Sequence, residues 1–138
     1  MRVLVLLAAA LLFPACAAMA FDDAERGQAQ GIVREQVEAF SHDDAATAWS
    51  FASPSIQQMF PSPGMFLAMV AHAYPPVYRN KSFTFGEAKD DGKTLAQKAR
   101  IVDADGVPWD ALYTLEKQAD GGWKITGCVL LKAVDQAV

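Results

Sequence analysis

The spacing of hydrophobic residues changes once along the chain, near Val77. Before that point apolar residues recur every three or four positions, as in Ile32, Val33, Val37 and Phe40, which is the period of an amphipathic helix. After it, apolar and polar residues alternate, as in a strand with one buried face. The sequence therefore predicts an α+β fold in which N-terminal helices pack on a curved, four-stranded antiparallel sheet.

Capping residues place the first two predicted helices. Acidic residues at 22–25 favour a helix start, although two glycines in the early turns predict that the stable helix begins near Gln28. Asp43 or Asp44 is predicted to cap a second helix. That helix must end before the next proline, because the residue ahead of a proline disfavours helical geometry.

Residues 51–79 contain no carboxylate and are rich in Met, Phe, Tyr and Pro. The Ser-Pro pairs at 53–54 and 62–63 each place a capping side chain before a proline at the first helical position, which predicts two short helices. Pro75 and Pro76 end the second of these and predict an extended exit into a strand. Because so apolar a segment needs cover, we expect it to form a lid over the sheet.

Three Asp-Gly turns, at 91–92, 105–106 and 120–121, separate the alternating segments and predict an antiparallel meander. The residues predicted to face the helices are Phe83, Phe85, Trp109, Tyr113, Trp123 and Ile125, with Val129 and Leu131 on the same side as the last two. The opposite face is predicted to carry Leu112, Cys128 and Leu130. That face is either a homodimer surface or an ordinary, partly apolar surface.

The first twenty residues have the pattern of a signal peptide. Arg2 precedes an apolar run over 3–13, and Ala-Met-Ala at 18–20 is a cleavage site. We therefore expect a signal peptide at 1–20, a single domain at 21–138 and a periplasmic or secreted product. A lipoprotein anchored through Cys16 is the less favoured alternative, because the residues before Cys16 match a lipoprotein signal poorly.

Charge and cysteine content narrow the function classes. The net charge of −4 would become −5 when Arg2 leaves with the signal, and the basic residues are scattered singly. This pattern argues against a nucleic-acid surface, and also against an anionic-membrane surface once the signal is removed. Cys128 would be the single cysteine of residues 21–138, so no internal disulfide is expected and a buried packing role is favoured.

Four strings in the sequence resemble one family of exported bacterial proteins, grouped as domain of unknown function 4864. The strings are FASPSIQxMF at 51–60, FLxMV at 66–70, YPPVYR at 74–79 and ALYT at 111–114. The resemblance implies a fold like that of nuclear transport factor 2, a cone of sheet and helices around a pocket. The family has no assigned activity, so the resemblance implies no functional residue.

No zinc-ligand spacing, phosphate loop or nucleophile elbow occurs, so neither a metal nor a cofactor is predicted. His42 adjoins two aspartates, but residues at a helix start do not converge, and capping explains them better. His72 could act as a general base only if it points into the pocket. The residues predicted to bind a ligand are Met69, Tyr74, Tyr78, Arg79, Trp109 and Tyr113.

Two functions follow from these features. The first is a non-catalytic exported protein that binds a small hydrophobic ligand in the pocket, or a protein partner. The second is a small isomerase or dehydratase that uses His72 with Asp110 or Glu116. Strand alternation disfavours the second, because it places both carboxylates on the face away from Trp109 and Tyr113. The residues leave open which of the two is correct.

Overall fold

Five helices precede four strands in the computed structural model, which describes residues 20–133. The helices are α1 (Asp23–Ser41), α2 (Ala45–Ser50), α3 (Pro54–Gln57), α4 (Pro63–Ala73) and α5 (Pro75–Tyr78). The strands are β1 (Asn80–Asp90), β2 (Thr94–Asp103), β3 (Pro108–Lys117) and β4 (Trp123–Lys132). Residues 1–19, which hold most of the predicted signal and Cys16, lie outside the described part.

The four strands form one open sheet in the order β1-β2-β3-β4, with every neighbouring pair antiparallel. The three connecting turns each place a glycine at positive φ, at Gly92, Gly106 and Gly121. A residue without Cβ adopts that conformation at little cost, which is why Asp-Gly marks such turns. The predicted α+β class and meander are confirmed.

Helix α1 begins five residues earlier than expected. Asp22 is its N-cap and forms a capping box with Glu25, in which each side chain accepts a hydrogen bond from the other residue's backbone N–H. The first N–H groups of a helix have no acceptor within the helix, and this reciprocal cap supplies acceptors for two of them. Ala29 and Val33 are then buried against the sheet. The prediction that the glycines delay the helix was wrong, because capping and burial outweigh their poor propensity.

The predicted start of the first strand at Val77 was also wrong. Residues 75–78 form the short helix α5, and β1 begins only at Asn80. Proline is well suited to the first turn of a helix, because its fixed φ is helical and its missing N–H has no partner there in any case. The turn buries Val77 in the core.

A β-bulge in β4 reverses the predicted faces of its second half. Thr114 pairs with Gly127 and the next residue, Leu115, pairs with Ile125, so Thr126 is an extra residue on β4. One extra residue moves every later side chain to the opposite face. Cys128 and Leu130 therefore face the helices with Trp123 and Ile125, whereas Val129 and Leu131 are exposed on the outer face.

The lid is joined to this same part of β4. The Ile125 N–H donates to the Phe51 carbonyl oxygen at 2.9 Å, and the Ile125 carbonyl accepts from Ser53 N–H at 2.8 Å. These two bonds fix the segment before α3 beside the bulged strand. Within residues 20–133, no helix combines the length and the apolar composition that a membrane span requires.

Candidate ligand-binding cavity

A cavity of about 460 Å³ lies between the lid and β4. Helix α4 contributes Phe66, Met69 and Val70 to its wall, and the sheet contributes Tyr113 and Ile125. The wall is mostly aromatic and aliphatic, as is usual for sites that bind small molecules. The predicted lid over the sheet thus encloses a space between apolar side chains.

Tyr113 contributes a buried side chain to the sheet side of the cavity wall. The ring is buried, and its hydroxyl has no hydrogen-bond partner among the described residues. The thiol of Cys128, which also lines the cavity, interacts with this hydroxyl but is a weak hydrogen-bonding partner for it. The hydroxyl is itself enclosed by protein atoms, so a molecule in the open part of the cavity does not contact it.

Burial keeps both of these groups neutral. It raises the pKa of Tyr113 well above its ordinary value. It also raises the pKa of Cys128 to about 12, although the nearby Tyr113 hydroxyl opposes the effect. Because the thiolate is the reactive form, Cys128 is inert at neutral pH, as expected for a packing cysteine.

Gln36 is a second buried polar residue in the cavity wall. It belongs to the core-facing stripe of α1, and its side-chain Nε2 donates to the Ala48 carbonyl at 3.1 Å. This bond holds α1 against α2 and fixes the orientation of the amide. Among the described residues that line the cavity, none is an acid, a lysine, an arginine or a histidine. The polar part of the wall is therefore uncharged.

The cavity opens to solvent beside α3. Met59, which follows that helix, is 74% exposed and also lines the cavity, and Val129 on β4 does the same. Two residues that are both exposed and part of the wall mark an entrance between the lid and the sheet. A flexible methionine at such a position can adapt its side chain to different ligands.

Three of the six residues predicted to bind a ligand line the cavity, namely Met69, Tyr74 and Tyr113. Tyr78 and Arg79 lie instead in a surface cluster with Asp43, whose carboxylate accepts hydrogen bonds from both side chains. The Tyr78 hydroxyl bond is the main cause that lowers the pKa of Asp43. Asp43 has a φ of 54°, which is unusual for an L-residue, and these bonds support that backbone conformation.

Trp109 lies near the β2–β3 turn and does not line the cavity. Its indole Nε1 donates to Asp103 Oδ2 at 3.0 Å across the β2–β3 turn. This bond is the main cause that lowers the pKa of Asp103. The Trp109 side chain is on the helix-facing side of the sheet, as the sequence predicted. Its position along β3, however, leaves it outside the cavity wall.

The histidines do not form a catalytic group in the described part of the chain. His72 is exposed on α4. Asp110 pairs with Arg100 at 2.7 Å on the outer face of the sheet, as strand alternation predicted. His42 contacts Glu38 at 2.9 Å, and Asp44 caps α2. No group of three potential metal-ligating side chains occurs within residues 20–133.

Sequence reasoning missed Cys128 and Gln36 as parts of the cavity wall. Cys128 was placed on the outer face because strict alternation was continued through the bulge. An isolated glycine within a strand pattern, here Gly127, is a known sign of a bulge and could have corrected the register. Gln36 was visible in the helical stripe, but its polar side chain gave no sign of a hydrogen bond to the distant Ala48.

The chain is an α+β domain whose fold is similar to that of solved NTF-2 like proteins. Residues 22–138 match the family described as Domain of unknown function (DUF4864), and the chain belongs to this family. The crystal structure of an NTF-2 like protein of unknown function from Silicibacter pomeroyi has a TM-score of 0.55 at 15% identity, over 82% of this chain and 100% of that one.

A second NTF-2 like protein of unknown function, from Burkholderia xenovorans, has a TM-score of 0.51 at 12% identity, over 82% of this chain and 90% of its own. No curated protein matches the chain. At these identities the structural likeness establishes the fold alone.

Proposed function

We propose that this domain is an exported, non-catalytic protein that binds a small, uncharged and largely apolar ligand in the cavity. The observation that carries the proposal is the cavity itself, which opens to solvent on one side and is lined mostly by apolar side chains of the lid and β4. Its volume of about 460 Å³ is within the range of small-molecule sites.

The lining favours a neutral ligand. A carboxylate or phosphate in this cavity would lose its hydration without gaining a cation, because Arg79 lies in the surface cluster with Asp43. Burying an unpaired charge costs far more than burying a hydrogen-bonded polar group. An apolar molecule that carries one neutral hydrogen-bonding group suits this wall better than a free fatty acid does.

The same wall disfavours the isomerase or dehydratase alternative. General acid–base chemistry needs a group that titrates near the working pH and lies within reach of the substrate. Tyr113 and Cys128 are both kept protonated by burial, and His72 is exposed on the outside of α4. The two candidate carboxylates, Asp110 and Glu116, are at positions of β3 that face the outer side of the sheet, away from the cavity.

Export by the predicted signal, with a periplasmic or secreted product, is part of the proposal. The described structure supports it at one point. Phe21, the first residue after the predicted cleavage site, is also the first described residue whose side chain is buried, whereas Ala20 is exposed.

Native mass spectrometry of the exported protein tests the binding proposal. We expect a retained small molecule in the wild type and its loss in Met69→Trp, because the larger ring would fill a cavity that Met69 lines. Met65→Trp is the matched control, since Met65 lies one turn earlier on α4, is 55% exposed and does not line the cavity. A wild type that binds nothing from its host, or equal retention by both variants, would contradict the proposal.

A second proposal concerns the outer face of the sheet, where Leu112, Val129 and Leu131 form an exposed apolar row. We propose that a second copy of the chain covers it. The shallow groove of about 680 Å³ on this face also contains the Arg100–Asp110 ion pair. Because both signs of charge flank the row, the face can complement itself in a two-fold dimer.

Sedimentation of the wild type is expected to show a dimer at micromolar concentration. Leu131→Lys should shift the equilibrium to the monomer, because Leu131 is 66% exposed and a lysine there would place a charge in the interface. Met65→Lys, at an exposed position that lines neither this groove nor the cavity, is the control. A wild type that stays monomeric at high concentration would exclude the dimer.

A further inference from the structure

Phe21, the first described residue with a buried side chain, is held at both its ring and its backbone nitrogen. The Phe21 ring packs edge-on against Trp123, with centroids 4.7 Å apart and an interplanar angle of 71°. Its backbone N–H donates to Asp90 Oδ1 at 3.1 Å. The residue is only 8% exposed, so this contact belongs to the core.

Asp90 ends β1, and its side chain is completely buried. Oδ1 accepts from the backbone N–H groups of Phe21 and, at 3.0 Å, Gly92, whereas Oδ2 accepts from Arg26 Nη2 at 2.7 Å. A buried carboxylate requires compensating charge as well as hydrogen bonds. In the uncleaved chain Arg26 is the cation that contacts it, because the nitrogen of Phe21 is an amide.

We propose that cleavage after Ala20 creates a second cation at this site, so that the α-ammonium group of Phe21 forms a buried ion pair with the Asp90 carboxylate. This inference rests on the proposed export. Hydrolysis consumes one water and breaks the Ala20–Phe21 peptide bond. The hydroxyl group goes to the Ala20 carboxyl, and the Phe21 nitrogen becomes a primary amine that is protonated at neutral pH.

The surroundings favour this added charge. The charged residues next to Phe21 or Asp90 in the chain, or paired with their neighbours, are Asp22, Asp23, Glu25, Arg26, Lys89, Asp90, Asp91, Lys93 and Lys117. Lys117 pairs with Glu25 at 2.6 Å and Arg26 with Asp90 at 2.7 Å, which leaves the three acids Asp22, Asp23 and Asp91 against two lysines. These acids also offset the repulsion between an ammonium group and the positive end of α1.

The ion pair has a definite pH signature. An opposite charge at hydrogen-bonding distance favours the protonated amine, so the pKa of the α-amino group is raised on folding above its ordinary value of about 8. The added stability is complete below the unfolded-state pKa. It is lost as the pH rises through the folded-state pKa.

The test uses the full chain, exported from a bacterial host, with the N-terminus of the product determined by intact mass. The rate of α-amino acylation as a function of pH then gives the pKa of that group. A variant with one glycine inserted after Ala20 moves the charge outward by one residue and leaves an amide at Phe21. Asp90→Asn removes the carboxylate charge and retains the side-chain shape.

We expect a product that begins at Phe21, with an α-amino pKa raised by at least about one unit, which is equivalent to a ten-fold change in the folding equilibrium constant. The glycine insertion should lower that constant about ten-fold at pH 6 in the wild type and have little effect in Asp90→Asn. A product that starts elsewhere would overturn the processing site and the ion pair together. Processing at Phe21 with an ordinary pKa, or with equal effects of the insertion in both backgrounds, would overturn the ion pair alone.

Discussion

Phe66→Ala is expected to lower the free energy of unfolding by about 3–5 kcal/mol, the usual range for truncation of a buried phenylalanine. Phe66 is buried on α4, and its ring contacts three others. The centroid distances are 5.9 Å to Phe40, 5.6 Å to Trp49 and 5.7 Å to Phe60. The substitution leaves a void among rings from three different segments, which cannot all move to fill it.

Urea denaturation followed by circular dichroism measures this effect. Met65→Ala is the control on the same helix, because Met65 is exposed and its truncation should change the free energy of unfolding by less than about 0.5 kcal/mol. Phe66 also lines the cavity, so ligand retention should fall in Phe66→Ala and persist in Met65→Ala. Equal stability of the two variants would show that α4 does not depend on the aromatic cluster.

The features that were predicted correctly are specified by residues close together in the chain. The hydroxyl groups of Ser53 and Ser62 each accept from the backbone N–H three residues later, and a proline follows each at the first helical position. The three Asp-Gly turns likewise carry their own conformational signal. Such signals act locally, so a single sequence suffices to place the short helices and the meander.

The features that were predicted wrongly depend on residues far apart in the chain. The inward position of Cys128 results from a bulge that also pairs Ile125 with residues of the lid. The early start of α1 depends in part on burial of Val33 under the sheet. The clustering of Tyr78 and Arg79 with Asp43 joins segments 35 residues apart. Neither periodicity nor capping contains this information, because it arises only when the layers pack.

The candidate cavity was also predicted only in part. The apolar lid predicted that a space lies between helices and sheet, and Met69, Tyr74 and Tyr113 line that space in the structure. Trp109 was included because it shares a strand face with Tyr113, but parity fixes only the face and not the distance along the strand. The depth of a site along a sheet depends on where the helices cross it.

Gln97→Leu is expected to lower the free energy of unfolding by about 2–3 kcal/mol, because it leaves buried backbone and side-chain groups without partners. Gln97 lies on the helix-facing side of β2 and is completely buried. It lies beside a bulge in β1, where Phe85 pairs with Ala99 and Ala88 with Gln97. Residues 86 and 87 are thus opposite a single residue of β2, which interrupts the ladder.

The Gln97 side chain replaces part of that interrupted ladder. Its Nε2 donates to the carbonyl oxygens of Gly86 at 3.0 Å and Lys98 at 2.8 Å, and its Oε1 accepts from Gln30 of α1 at 3.1 Å. Leucine has a similar volume, so the substitution removes these bonds and creates no large void. The loss should therefore appear as reduced stability and as faster amide exchange near the bulge.

Denaturant unfolding and hydrogen exchange of Gln97→Leu are to be compared with Lys98→Met, the next residue along β2. Lys98 faces outward, and its ion pair with Glu87 is long, at 3.9 Å, and exposed. Such a pair contributes at most about 1 kcal/mol. If Gln97→Leu is as stable as Lys98→Met, the buried amide is not needed at the bulge, and backbone geometry alone holds β1 in this register.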